Sequence, residues 1–111
     1  MGAKETVLSK KYYEILISAE DQQQADTILN SLLAKKLVTG GQFLKDPARF
    51  LWKGKVEDID YITITSFTTS DKKEEVIKDI ETTATEEVPM IRFIVIEVNN
   101  KLAKWIDETL A

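Results

Sequence analysis

FLWKGKVEDIDYITITSF, Phe50 to Phe67, joins two kinds of sequence in one run. Its second part, Tyr61-Ile62-Thr63-Ile64-Thr65-Ser66-Phe67, alternates strictly. Ile62 and Ile64 fall on one face and Tyr61, Thr63, Thr65 and Phe67 on the other, the period of a strand with a buried and an outer side. Its first part sets Phe50, Leu51 and Trp52 directly against Lys53-Gly54-Lys55, followed by Glu57 and Asp58. Large apolar side chains and mobile charges share so short a stretch in a turn, a binding loop or a contact between subunits. Glycine between two lysines predicts a hairpin turn beside Lys53 to Lys55, with Glu57 and Asp58 extending its exposed part.

Upstream of the turn, Gln42 to Lys55 reads as one long extended segment. Pro47 lacks a backbone donor, so the segment is either an edge strand with a bulge or two strand pieces joined by a bend at Lys45-Asp46-Pro47, and one long, interrupted strand is expected. Further back, Tyr12 to Ser18 is rich in aromatic and β-branched residues and predicts a first strand. Asp21 with Gln24 forms a capping box, and Ala25, Ile28, Leu29, Leu32, Leu33 and Leu37 recur at helical spacing. That helix is expected to stop near Val38 to Gly41, where paired glycines oppose it. Downstream of the alternating strand, Ser70-Asp71 opens a second helix to about Thr83, with Val76, Ile77, Ile80 and Ala84 as its apolar stripe. Met90 to Val98 is the most hydrophobic run and reads as a central strand. Asn99-Asn100 ends it, and a terminal helix places Leu102, Trp105, Ile106, Thr109 and Leu110 on one side.

The order strand, helix, strand, strand, helix, strand, helix defines an α+β chain. A βαββαβ series with right-handed crossovers gives a ferredoxin-like antiparallel sheet with two helices on one face, here with an extended hairpin between the second and third strands and an additional C-terminal helix. The other face would expose Tyr61, Phe67 and part of the fourth strand, a patch of the kind that meets a partner. At 111 residues the chain is expected to hold one domain, 12–111, behind a tail of residues 1–11.

Composition narrows the function. Fifteen basic against nineteen acidic residues give a net charge of −4, which supplies no general attraction to nucleic acid or to anionic membranes. No apolar run approaches the roughly 18–20 residues of a bilayer helix, and Met1 to Lys11 has no apolar core of signal-peptide type, so a cytoplasmic protein is expected. With no Cys and no His, disulfides, thiol catalysis, imidazole acid–base chemistry and ordinary zinc or copper sites are all removed. Tyr61 to Phe67 carries threonines where an RNA-recognition strand needs stacking aromatics and a basic residue. Without a nucleophile paired to a base, the chain is read as non-enzymatic.

The set Phe50-x-Trp52-x-Gly54-Lys55, then Glu87-Val88-Pro89-x-Ile91, then Trp105-Ile106, resembles the CutA family, the divalent-cation tolerance proteins, across nearly all of residues 12 to 107. Phe50 stands where the family usually has Tyr. The family's His-Pro-Tyr-Glu-x-Pro-Glu-Ile segment falls on Ala84 to Ile91, and its Cys-bearing strand start falls on Gly40-Gly41. The resemblance implies a homotrimer related in architecture to the PII signalling proteins, with hairpins reaching over neighbouring subunits. It implies a role in divalent-cation tolerance, for which Ala84, Glu86 and Gly40 replace the His, Tyr and Cys that would be soft or borderline ligands.

Within that frame Phe50, Leu51, Trp52 and Gly54 are the expected trimer-interface residues, because aromatics on a protruding hairpin need a surface to pack against. Lys53 and Lys55, with Glu87, are candidate ligand contacts, since lysines around a glycine can cradle an anion. Glu57 and Asp58 offer oxygens to a hard divalent cation such as Mg²⁺ or Ca²⁺. Two other readings stand beside the cation-tolerance one: a PII-like sensor of a small anionic metabolite in clefts between subunits, and a purely structural trimer.

Overall fold

The computed structural model describes residues 10–111, so the expected tail lies outside the described residues except for Lys10 and Lys11. The elements are β1 (Tyr12–Ala19), α1 (Gln22–Ala34), β2 (Gln42–Trp52), β3 (Lys55–Thr69), a 3₁₀ turn (Ser70–Lys72), α2 (Lys73–Thr83), β4 (Ile91–Ile96) and α3 (Asn100–Thr109). The four strands form one antiparallel sheet in the order β2-β3-β1-β4. This is the α+β, ferredoxin-like arrangement expected from the order of elements.

The core forms on one face of the sheet. Alternation sends Ile15, Ile17 and Ala19 of β1 and Ile62 and Ile64 of β3 to that face, where Ala25, Ile28 and Leu32 of α1 and Val76 and Ile80 of α2 meet them. Each fully buried Ile, Leu or Val side chain there contributes about 1.5–3 kcal/mol relative to exposure. The start of α1 follows its capping box: the Asp21 carboxylate accepts from the Gln24 backbone N–H at 2.8 Å.

Several boundaries differ from the sequence reading. The first helix ends at Ala34, before the glycines. Leu37 N–H donates to Leu32 O and Lys36 N–H to Leu33 O, both at 3.0 Å, with Lys36 at φ +54°. That is a Schellman motif carried by a lysine, and it buries Leu37 while leaving Leu33 exposed. The expected interruption near Lys45-Asp46-Pro47 does not form: β2 is continuous and Pro47 lies opposite Asp60. On an edge strand the missing N–H can face away from the ladder, so proline interrupts nothing. Strand β3 begins at Lys55, absorbing the segment expected to be a turn extension.

The fourth strand is a second correction. It was expected to be central, yet it pairs only with β1 and forms an edge, with Ile94 and Val95 exposed. An apolar run measures how much surface a strand must bury, not what buries it. The last difference concerns the face opposite the core. There α3 crosses one end: the Tyr12 hydroxyl donates to Asp107 Oδ2 at 2.9 Å, and Trp105 stands beside Glu14, Thr65 and Phe67. Phe67 is therefore partly covered within its own chain.

Candidate functional site

Past the core, β2 and β3 continue as a two-stranded ribbon closed by Lys53 and Gly54. Their φ values, +50° and +81°, are those of a type I′ turn, whose twist matches that of the strands it joins. No atom would contact a Cβ at Gly54, so glycine serves the backbone angle there rather than a close approach.

Strand alternation sorts the ribbon into two faces. Phe50 lies opposite Glu57, Trp52 opposite Lys55, and Ala48 opposite Ile59 on one face; Leu51 opposite Val56 and Arg49 opposite Asp58 lie on the other. The first face bends toward the loop that joins α2 to β4. Phe50 meets Tyr61 edge to face with ring centroids 5.5 Å apart. Lys53 Nζ reaches Glu87 Oε1 at 3.3 Å and stands 5.3 Å from the centre of the Trp52 ring.

That loop is tied down at its base. The Ser18 hydroxyl donates to Glu86 Oε1 at 3.0 Å and accepts from the Met90 N–H at 2.9 Å. The Thr85 N–H donates to the buried Gln24 side chain at 2.5 Å, and the Thr85 hydroxyl lies 2.9 Å from Glu20 Oε1. The result is a cleft of about 400 Å³ walled by Trp52, Ile59, Tyr61 and Val88, with Glu20, Glu86 and Glu87 at its mouth. A second apolar recess of about 130 Å³ shares Trp52, Ile59, Tyr61 and Val88 with it and is also lined by Phe50, Leu51 and Met90. Burial, a hydrogen bond to Glu86 and the negative charges of Glu86 and Glu20 raise the Tyr61 hydroxyl above the usual tyrosine value, so it stays protonated.

The expected site residues divide accordingly. Phe50 and Trp52 lie on the face turned toward their own loop, while Leu51 points the other way and Gly54 sits at the turn. Lys53 and Glu87 are brought together, but as an ion pair with each other, so no anion cradle is left open. Lys55 shares the Trp52 face and makes no ion pair among the described residues. Glu57 and Asp58 do not converge: consecutive strand residues point to opposite faces, and Asp58 accepts from Arg49 Nε at 2.6 Å. Among the described residues no three His, Cys, Asp or Glu side chains are grouped to hold a metal ion, and no helix is long and apolar enough to cross a membrane. Glu20, Ser18 and Thr85, which build the cleft, were not singled out from sequence. They lie in three separate segments, and only the βαββαβ crossover brings them together.

With this geometry established, comparison with known proteins adds a family. Residues 13–109 match the family model described as CutA1 divalent ion tolerance protein. A curated relative, the divalent-cation tolerance protein CutA of Archaeoglobus fulgidus, is 32% identical over 97 residues, spanning 86% of this chain and 95% of the relative. The solved structure of the A. fulgidus protein, described as periplasmic, superposes with a TM-score of 0.86 at 30% identity, covering 90% of this chain and 99% of that one. The CutA1 structure from Ehrlichia chaffeensis also reaches 0.86, at 20% identity and with 92% and 97% coverage, a likeness of fold alone.

Proposed function

The chain belongs to the CutA1 divalent ion tolerance family, and on that premise we propose that it acts as a homotrimer, without an enzymatic reaction, in the tolerance of divalent cations. One observation carries the assembly. At the hairpin tip Leu51 and Val56 face each other across the ribbon, yet remain 74% and 66% exposed in a single chain. A two-stranded ribbon is marginal alone in water, and apolar side chains displayed on it gain stability when another surface covers them. The sheet adds support, since β2 and β4 leave unpaired backbone groups at its two edges. Joining unlike edges of successive copies makes a head-to-tail contact, which closes into a ring when the rotation fits.

The cation role rests on family membership. The residues of one chain do not fit a chelated divalent cation: among the described residues no three His, Cys, Asp or Glu side chains are grouped to hold one, and Asp58 is paired with Arg49. The non-enzymatic reading is supported by a sequence without Cys or His.

The test uses a bacterial strain made sensitive to Cu²⁺ by loss of its own family member. The wild-type chain, with a light-scattering mass of three copies, is expected to restore growth. A Leu51→Asp, Val56→Asp variant is expected to sediment as a single chain and to fail. Rescue by a single-chain variant overturns the assembly, and failure of the wild type to rescue overturns the cation role.

A further inference from the structure

The cleft between the hairpin and the α2–β4 loop has a chemistry that neither the assembly nor cation tolerance uses. Its walls are Trp52, Ile59, Tyr61 and Val88, and an apolar recess that also touches Phe50 and Met90 shares those four residues. Its mouth carries Glu20, Glu86 and Glu87, and no lysine or arginine lines either space. An anion would meet three carboxylates there. A bare divalent ion would find apolar walls and no grouped set of ligands among the described residues.

An organic cation fits both halves. Aromatic faces attract ammonium groups, most strongly where water is partly excluded, and carboxylates at the rim complete the charge. The chain itself provides an internal example. The Lys53 ammonium rests 5.3 Å from the Trp52 ring centre and 3.3 Å from Glu87 Oε1, which marks a place at the rim where an ammonium is accepted. Both partners of that pair are about two-thirds exposed, so the contact is weak and a competing ammonium can displace it.

The carboxylates are also held in position before any ligand arrives. The Ser18 and Tyr61 hydroxyls both hold Glu86, and the Thr85 hydroxyl lies 2.9 Å from Glu20 Oε1. Groups held in place beforehand lose less entropy on binding.

We propose that this cleft binds a small organic ammonium ion, its apolar body against Trp52, Tyr61 and Val88 and its charge against Glu20, Glu86 and Glu87. The residues named for it all belong to one chain.

Fluorescence tests the site directly in the full chain carrying Trp105→Phe, which leaves Trp52 as the sole tryptophan. Benzylammonium is expected to change Trp52 emission saturably, at concentrations where benzyl alcohol, its uncharged near-isostere, has no effect. Glu20→Gln and Glu86→Gln are each expected to weaken the response about tenfold, and added salt to weaken it further. Lys53→Met removes the competing internal ammonium and is expected to tighten binding several-fold. Glu20 is exposed, so its variant keeps the test decisive even if Glu86→Gln loosens the loop. The proposal is overturned by an equal response to benzyl alcohol, by unchanged affinity in the carboxylate variants, by no saturation, or by Mg²⁺ or Zn²⁺ displacing benzylammonium one for one.

Discussion

The two ends of the β2–β3 pair are built from the same alternating pattern and meet opposite fates. At the root, Ile62 and Ile64 are 3% and 0% exposed beneath α1 and α2; at the tip, Val56 and Leu51 stand largely in solvent. Nothing in side-chain chemistry separates an isoleucine at the root from a valine at the tip. What separates them is whether a helix lies overhead. The root therefore carries the stability of the single chain, and the apolar content of the tip is available for contacts beyond it.

That contrast is open to measurement, and the largest effect is expected at the root. Ile64→Ala should cost about 2–5 kcal/mol in urea unfolding, through lost burial and the cavity left behind. Val56→Ala, measured where the chain does not assemble, should stay within about 0.5 kcal/mol. Similar losses at both positions would break the comparison.

The next largest effect lies where β2 enters the core. A Cβ added at Gly41 would come within 2.9 Å of a Leu29 methyl and 3.1 Å of Ile64 Cγ2. Gly41→Val is expected to cost about 1–3 kcal/mol by overpacking, seen as a lowered thermal midpoint. An unchanged midpoint would mean that the root has more room than its packing implies.

A smaller effect sits between the two ends, at Tyr61. Its hydroxyl is held protonated above the ordinary tyrosine range, chiefly by burial and then by Glu86. A proton retained in the folded state but lost in the unfolded one makes stability fall as pH rises, so the contribution is complete below about pH 10 and disappears above it. Tyr12, bonded to Asp107, acts in the same direction. Tyr61→Phe should therefore flatten part of the alkaline loss measured by urea midpoints from neutral pH upward, and an equally steep loss would place the titration elsewhere.

The smallest change is expected at the tip itself. Arg49 and Asp58 form a short ion pair, but their side chains are 73% and 71% exposed. Arg49→Ala should move stability by no more than about 0.5 kcal/mol, and less at high salt. A loss of several kcal/mol would show the ribbon to be an integral part of the fold.

Much of this architecture was legible in the residues. The alternation of Ile62 and Ile64, the helical spacing from Ala25 to Leu32 and the Asp21 cap are local signals whose periods follow from backbone geometry, and they led to the βαββαβ order and the hairpin at Gly54. The end of α1 was misjudged because its Schellman turn uses Lys36, which carries no glycine signal. No interruption forms at Pro47 because an edge strand tolerates proline where the missing N–H faces away from the ladder, and which way that position faces is not a local property. The same limit hid the cleft: Ser18, Glu20 and Thr85 are ordinary polar residues in sequence, and they acquire meaning only where they meet Tyr61 and Glu86.

From its sequence alone this protein had its elements, its core residues and its family resemblance determined, because strand and helix periods and short motifs are written over a few consecutive positions. Tertiary structure alone decided that β4 is an edge, that α3 crosses the far face and that the two sides of the hairpin face different surroundings. Those facts depend on which distant segments come to lie over which faces, and burial, unlike periodicity, is a property of the neighbours.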